Sequence, residues 1–367
     1  MKRSILAALA AAAFACSTAG AAPRVAFGPY QFFGLAPAGT VPRASAIAPD
    51  GAPLAAGTAL SWAFANGECG EEVWPGKIPG QAVADANVAT AANDYIISTG
   101  GQGGVFTCGS DAGMERFVAR YMSPRLVGFD FDIEAEQSPA QIESLIKRIR
   151  HVQRKYPKLR YSFTVATHAA SDGSSHSLNK TGETVLAALR RFGVRDFVLN
   201  LMVMDYGPAT AQACVLRGSV CDMGASAIQA ARNVERKYMV PLSQIALTPM
   251  IGVNDVVENV YTLDDARATV EAVHRLGLAG LHFWSLDRDK PCSQPVTGAD
   301  GNCSTMPDVP AAAYHRAMIP AAAPATVVPS AAAIATVATP TATSAAAAAP
   351  GSSTMASDPA VKGGAGR

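Results

Sequence analysis

The chain has almost no net charge, formally +1 from 30 Lys and Arg against 29 Asp and Glu in 367 residues. Without a basic excess it offers nothing to nucleic acid or to an anionic membrane surface, both of which need clustered Lys and Arg. A neutral molecule is the expected partner. Cysteines number only seven, none in a Cys-x-x-Cys pair or near a His at ligand spacing, so neither a zinc site nor any other metal or cofactor is expected. No Gly-x-Gly-x-x-Gly follows the first apolar run, which argues against a dinucleotide-binding open sheet. The long apolar stretch near the start, Ile5 to Cys16, falls short of the about 20 residues that a membrane helix needs. No membrane attachment is expected.

The same stretch has a different use. Lys2 and Arg3 precede it and the small residues Ala19-Gly20-Ala21 follow, the three-part form of a secretory signal, with cleavage expected near Ala21. The mature chain is then secreted, extracellular or periplasmic. Ala13-Phe14-Ala15-Cys16 does not suit lipid attachment, because Phe14 fits poorly and the usual Leu start is missing. If Cys16 leaves with the signal, six cysteines remain in an exported chain, an even number that implies three disulfides. Local pairing is the simplest assignment: Cys214 with Cys221, Cys292 with Cys303, and Cys69 with Cys108, which each lie just beyond a strand. From 319 to 367 the sequence is Ala, Pro, Thr, Ser and Val with almost no charge, and it reads as a disordered tail. Residues 22–318 are expected to form one domain, acting as a monomer.

Through that region, short apolar runs alternate with polar helical stretches, the pattern of βα units and a parallel sheet. Eight strands are expected: Val25 to Phe32, Ala59 to Ala65, Tyr95 to Thr99, Leu126 to Ile133, Tyr161 to Val165, Phe197 to Met204, Ile245 to Met250 and Gly280 to Trp284. The clearest helix is Pro139 to Lys155, with Ile142, Leu145, Ile146, Ile149 and Val152 at helical spacing and Ser138 as its cap. Others lie near Glu183 to Arg191, Ala225 to Tyr238 and Asp264 to Leu276. Eight such units in about 300 residues match an α/β fold of the (β/α)8 TIM-barrel type, whose chemistry sits where the strands end.

The fourth run is the most informative. On a strand Asp130, Asp132 and Glu134 share one face, while Phe129, Phe131 and Ile133 share the other. With the apolar set against helices, three carboxyls enter the barrel, spaced roughly 6 to 7 Å apart. A solvated acidic face is common in antiparallel sheets, but both faces of a parallel barrel strand are covered, so the triplet needs a use. Mutual repulsion and lost hydration raise carboxyl pKa values, and at least one of the three should hold a proton near neutral pH.

Val127-Gly128-Phe129-Asp130-Phe131-Asp132-Ile133-Glu134 resembles the Asp-x-x-Asp-x-Asp-x-Glu motif of the family 18 glycoside hydrolases, which include chitinases and endo-β-N-acetylglucosaminidases. Ser98-Thr99-Gly100-Gly101 resembles their Ser-x-Gly-Gly motif, Met202 to Asp205 their Met-x-Tyr-Asp, and Trp284 their strand-eight tryptophan. The resemblance covers the whole barrel and implies a retaining, substrate-assisted chitinase acting on chitin or chito-oligosaccharides. By it, Glu134 protonates the leaving glycosidic oxygen while the substrate's 2-acetamido carbonyl attacks the anomeric carbon. Asp132 holds the acetamido N–H and shares a proton with Asp130, and Glu134 then serves as base toward water. Trp284 forms the floor beneath the sugar.

The chain departs from the pattern at Val127, which replaces the first Asp, and at Met204, which stands in the tyrosine place. The steadying hydroxyl is then expected from Tyr206 or is absent, and Asp205 and Tyr206 are the residues of choice beside Met202. Tyr30 and Asn254 are further substrate-binding candidates. Phe33, Trp62, Trp74, His168, Asp255 and Arg288 are as compatible with packing as with the cleft. Only about 30 residues separate Met250 from Gly280, enough for one loop and one helix, so no sizeable α+β insertion between strands seven and eight is expected. The groove should be open and the cuts internal. A catalytically silent chitin-binding barrel and an endo-β-N-acetylglucosaminidase acting on N-glycans are the competing readings; the presence of Glu134 weighs against the first.

Overall fold

In the computed structural model of the chain, residues 26–134 and 136–319 are described. The expected signal (1–21), Val25 and all of the tail beyond Ile319 lie outside the described residues.

Eight parallel strands close into a barrel: β1 Ala26–Phe32, β2 Ala59–Ala65, β3 Asp94–Gly100, β4 Leu126–Asp132, β5 Arg160–Ala166, β6 Val198–Met202, β7 Ile245–Thr248 and β8 Gly280–Phe283. Each pairs with its neighbours in sequence, and β8 returns to β1 with Ala26 opposite Gly280. The helices are α1 Gly80–Asn87, α2 Asp111–Arg120, α3 Pro139–Lys155, α4 Lys180–Arg191, α5 Met223–Tyr238, α6 Leu263–Leu276 and α7 Ala313–Met318. Every strand expected from the sequence is present, with ends moved by at most two residues.

One unit departs from the ideal repeat. Among the described residues no α-helix joins β1 to β2; a short 3-10 turn, Phe33–Leu35, leads instead into an irregular run. Pro37, Pro42, Pro49 and Pro53 fall in that run, and each removes an amide donor and restricts the residue before it. Between β7 and β8 the chain makes a small antiparallel pair, Gly252–Val253 with Val260–Tyr261, and then α6. That connection holds no inserted domain.

Helix α3 shows how the sequence sets these elements. Ser138 and Gln141 form a reciprocal capping box, Pro139 occupies the first turn, and Ile142, Leu145, Ile146, Ile149 and Val152 are buried. The outward face of β4 meets this layer: Phe129 packs on Phe117 of α2 with ring centroids 5.1 Å apart, and Phe131 lies 6.2 Å from Phe106. The inward face of β4 is thereby left to its carboxyls.

Three disulfides join Cys69–Cys108, Cys214–Cys221 and Cys292–Cys303, the local pairing expected. No helix among the described residues is long and apolar enough to cross a membrane.

Candidate active site

The interior of the barrel is polar where most barrels of this kind are packed with aliphatic side chains. Asp130 of β4 lies at the bottom, 1% exposed. Its Oδ2 accepts from Ser98 Oγ at 2.7 Å and from the Tyr30 hydroxyl at 2.9 Å, and its Oδ1 accepts from Ser162 Oγ at 2.7 Å and Thr164 Oγ1 at 2.8 Å. Asn200 Nδ2 ties this cage to β6 by donating to Thr164 Oγ1 at 2.8 Å and to the Tyr30 hydroxyl at 3.1 Å. Burial raises the Asp130 pKa, and the four hydroxyl donors offset only part of the rise. Below the cage the buried Arg160 guanidinium is pushed down to about 10 by burial, against the attraction of Asp130.

Asp132 is one inward position higher, and its Oδ1 is buried without a hydrogen-bond partner. Burial, then the carboxyls of Glu134 and Asp130, hold its pKa well above the ordinary range. Both Asp130 oxygens accept from the hydroxyl cage, and the Asp130 carboxyl is one of the charges that raise the Asp132 pKa. Glu134 follows, half-buried, with its pKa raised to about 7 by burial first and then by Glu136, Asp205 and Asp255. A carboxyl near 7 is divided between its acid and base forms at neutral pH, which is what a group that first gives and then takes a proton requires.

The backbone beside this ladder approaches closely. Gly100 has φ 86°, and a Cβ there would overlap the Asp132 carbonyl. The glycine pair Gly100-Gly101 therefore lets β3 end against the acidic strand.

Asp132 and Glu134 open into a cavity of about 510 Å³ at the C-terminal ends of the strands, within the usual size of a small-ligand site. Trp284 and Tyr30 line it opposite β4, and Phe64 stacks on Trp284 with centroids 5.6 Å apart and an angle of 16°. Met202, Met204 and Asp205 from the end of β6 complete the wall with Met250, His168 and Asp255. Asp205 has φ 50°, a left-handed conformation that Asp tolerates better than most residues. Its Oδ1 accepts from the Val256 amide at 2.8 Å, so the loops after β6 and β7 are fastened together across the site.

No protein-family model matches the chain. Over 216 residues, 55% of the chain, it is 28% identical to a probable bifunctional chitinase/lysozyme of Escherichia coli. Over 217 residues it is 27% identical to endochitinase 11 of Metarhizium anisopliae. The chain spans only 24% and 41% of the lengths of these two curated proteins. Its fold matches the catalytic domain of a hyperthermophilic chitinase from Pyrococcus furiosus with a TM-score of 0.60 and 23% identity, over 81% of this chain and 94% of that one. Catalytic-site mutants of a Pyrococcus furiosus chitinase domain, complexed with chito-oligosaccharides, match with a TM-score of 0.59. The chain is thus similar to chitinases over part of its sequence and in the fold of its barrel.

The expected residues separate into those at the cavity and those away from it. Glu134, Asp132, Tyr30, Met202, Asp205 and Trp284 line it, and Asp130 supports it from below. Tyr206 does not. It is 3% exposed, packs in the apolar core, and its hydroxyl has no partner. Asp205 faces the cavity and turns the chain there, which sends the next side chain outward. Met204, in the tyrosine place, does line the cavity, and the hydroxyl expected from Tyr206 is not among the groups that line it. Asn254 is also withdrawn. Its Nδ2 donates to the carbonyls of Met250 and Gly252 at 2.9 and 3.1 Å, and its Oδ1 accepts from the Asp205 amide, which makes it the brace of the loop after β7.

Arg288 is likewise a brace, donating to the carbonyls of Ile251, Val253 and Asp300. Trp62 and Trp74 are 1% exposed and, with Phe33, belong to the core. Thr164, Ala166, Thr248 and Phe64 line the cavity without having been singled out. The first three share the inward phase of their strands, a signal that counting alternate positions from Asp130 across the register would have found.

Proposed function

We propose that this chain is a secreted chitinase that hydrolyses β-1,4 bonds between N-acetylglucosamine units with retention, by a substrate-assisted mechanism. The observation that carries the reading is the pairing of Glu134, poised near pH 7 at the cavity wall, with an unpartnered oxygen of Asp132 directly beneath it. Glu134 gives its proton to the leaving glycosidic oxygen. The acetamido oxygen of the sugar over Trp284 attacks the anomeric carbon, and an oxygen of Asp132 accepts the hydrogen bond from the acetamido N–H. Glu134, now a carboxylate, takes a proton from water as that water opens the ring. No protein nucleophile is used, in contrast to the two-carboxylate retaining glycosidases, where the pair stands about 5 to 5.5 Å apart.

The similarity to an endochitinase and to a probable chitinase/lysozyme supports the substrate class. The short connection between β7 and β8, which holds no inserted domain, supports internal cutting. Three disulfides and the basic-apolar-small order of the first residues support export. The test is release of soluble sugar from colloidal chitin, set beside deglycosylation of a high-mannose glycoprotein. Chitin hydrolysis that Glu134→Gln abolishes is the expected result. Glycoprotein cleavage alone would move the reading to an N-glycan endoglycosidase, and failure on both, with no tighter binding by Glu134→Gln, would remove the enzyme reading.

A further inference from the structure

The cavity wall beside Glu134 is made by the connection from β5 to α4. Inward-facing residues along β5 run Ser162, Thr164 and Ala166, with Thr164 paired to Asp132. His168 follows two residues beyond the end of β5, and Ala166, Thr167 and His168 all line the cavity that Glu134 lines. The His168 ring lines the cavity. It stacks on the exposed His176 with centroids 4.4 Å apart and an angle of 23°.

The connection that carries this pair is fixed on both sides. His168 N donates to Ser177 O at 2.8 Å, Ala169 N to Ala213 O at 2.8 Å, and Asn233 Nδ2 to Ala170 O at 2.9 Å. The ring is thus held in place before any ligand arrives, and pre-placement lowers the entropy lost on binding. Its Nδ1 is enclosed and has no partner within the protein, which leaves Nε2 as the ring nitrogen for a ligand. Burial and the neighbouring His176 lower the His168 pKa, so the ring is neutral through the neutral range. A neutral imidazole has one donor and one acceptor nitrogen, a combination that suits sugar hydroxyls.

We infer that His168, braced by His176, is the hydrogen-bonding contact for the N-acetylglucosamine unit on the leaving side of the cut, and that it sets the preference for chain length. This rests on the hydrolytic reading above. In that reaction the sugar with the attacking acetamide lies deep, over Trp284 and Asp132. The unit whose oxygen Glu134 protonates lies toward the mouth, on the side of β4 and β5. His168 is a binding residue there and takes no part in proton transfer.

The experiment compares chitotetraose, which has sugars on the leaving side, with an aryl chitobioside, whose leaving group has no sugar hydroxyls. His168→Ala should raise KM for chitotetraose about tenfold, the size of one lost neutral hydrogen bond, with kcat within about twofold. Turnover of the aryl chitobioside should stay within about twofold of the parent. His168→Asn, which keeps a donor and an acceptor, should recover part of the loss. His176→Ala, at an exposed position, should raise the chitotetraose KM by about threefold without lowering Tm. Equal losses on both substrates, or no loss on either, would overturn the inference while leaving the hydrolytic reading intact. A parent chain that cleaves neither substrate would overturn both, since there is then no leaving side.

Discussion

Tyr30 reaches from β1 across the barrel interior to donate its hydroxyl to Asp130 on β4 at 2.9 Å. It shares that carboxylate with Ser98, Ser162 and Thr164, so the lowest member of the acidic ladder is fully engaged while the one above it, Asp132, keeps a free oxygen. The division follows from geometry. Ser98 and Ser162 lie at the level of Asp130, and Thr164, level with Asp132, also gives its hydroxyl to Asp130.

Tyr30→Phe removes one donor from Asp130 and leaves Asn200 Nδ2 with Thr164 alone. Asp130 then competes for the proton on Asp132, and the acetamide loses its well-defined acceptor. The expected result is a fall in kcat of about tenfold or more, with stability lowered by about 1 kcal/mol, the net worth of a buried hydrogen bond. Steady-state kinetics on chito-oligosaccharides and a denaturant titration measure the two effects separately. A drop in stability with unchanged kcat would make Tyr30 a packing residue.

The disulfides should differ in worth. Cys69–Cys108 closes a sequence separation of 39 and Cys214–Cys221 one of 7. Loop-closure entropy in the unfolded chain gives about 4 kcal/mol for the first and about 2 for the second. Replacing each pair by Ser should lower Tm more for the Cys69–Cys108 variant, and the order of the two melting points is the check.

Much of this site was legible because β-strands repeat every two residues. Once Asp130, Asp132 and Glu134 were assigned to one strand, their shared inward face and the helix-facing Phe129 and Phe131 followed. The apolar runs likewise located all eight strands, since buried parallel strands are apolar and lie between polar helices. The period fails where the strands stop. Tyr206 and Asn254 lie beyond the ends of β6 and β7, and there a single left-handed residue, Asp205, turns the next side chain into the core. The prolines between β1 and β2 were visible, but spacing alone does not tell a helix that is missing from one that is short. The hydroxyl cage required the register of β3, β4 and β5 against one another, and that is set by closure of the barrel.

Asp289 caps α7 from a buried position, accepting the amides of Tyr314 at 3.0 Å and His315 at 2.7 Å. Burial nevertheless raises its pKa to about 6. Asp289→Ala leaves two buried amides without partners, and unsatisfied groups of that kind cost about 1 to 3 kcal/mol each. A Tm lowered by several degrees, with faster proteolysis near α7 than elsewhere, is expected; cleavage spread evenly over the chain would mean that α7 docks without this cap.

Glu134 connects activity and stability through one titration. As the acid it must be protonated, so kcat/KM should fall as pH rises through about 7. Asp255 is one of the carboxyls that raise that value, so Asp255→Asn should lower the Glu134 pKa and move the alkaline limb to lower pH. The sign for stability runs the same way. A carboxyl with a folded pKa above its unfolded value of about 4.5 favours the folded state most below 4.5, and that contribution is lost as pH rises toward 7. Glu134→Gln has no such loss. Its Tm should match the parent near pH 4 and exceed it by a growing margin up to about pH 7, after which the margin stays constant. Melting curves across that range test this without any substrate. A margin that shrinks with pH would mean that the ionised carboxylate is stabilised in the fold, and the role of general acid at neutral pH would then belong to another group.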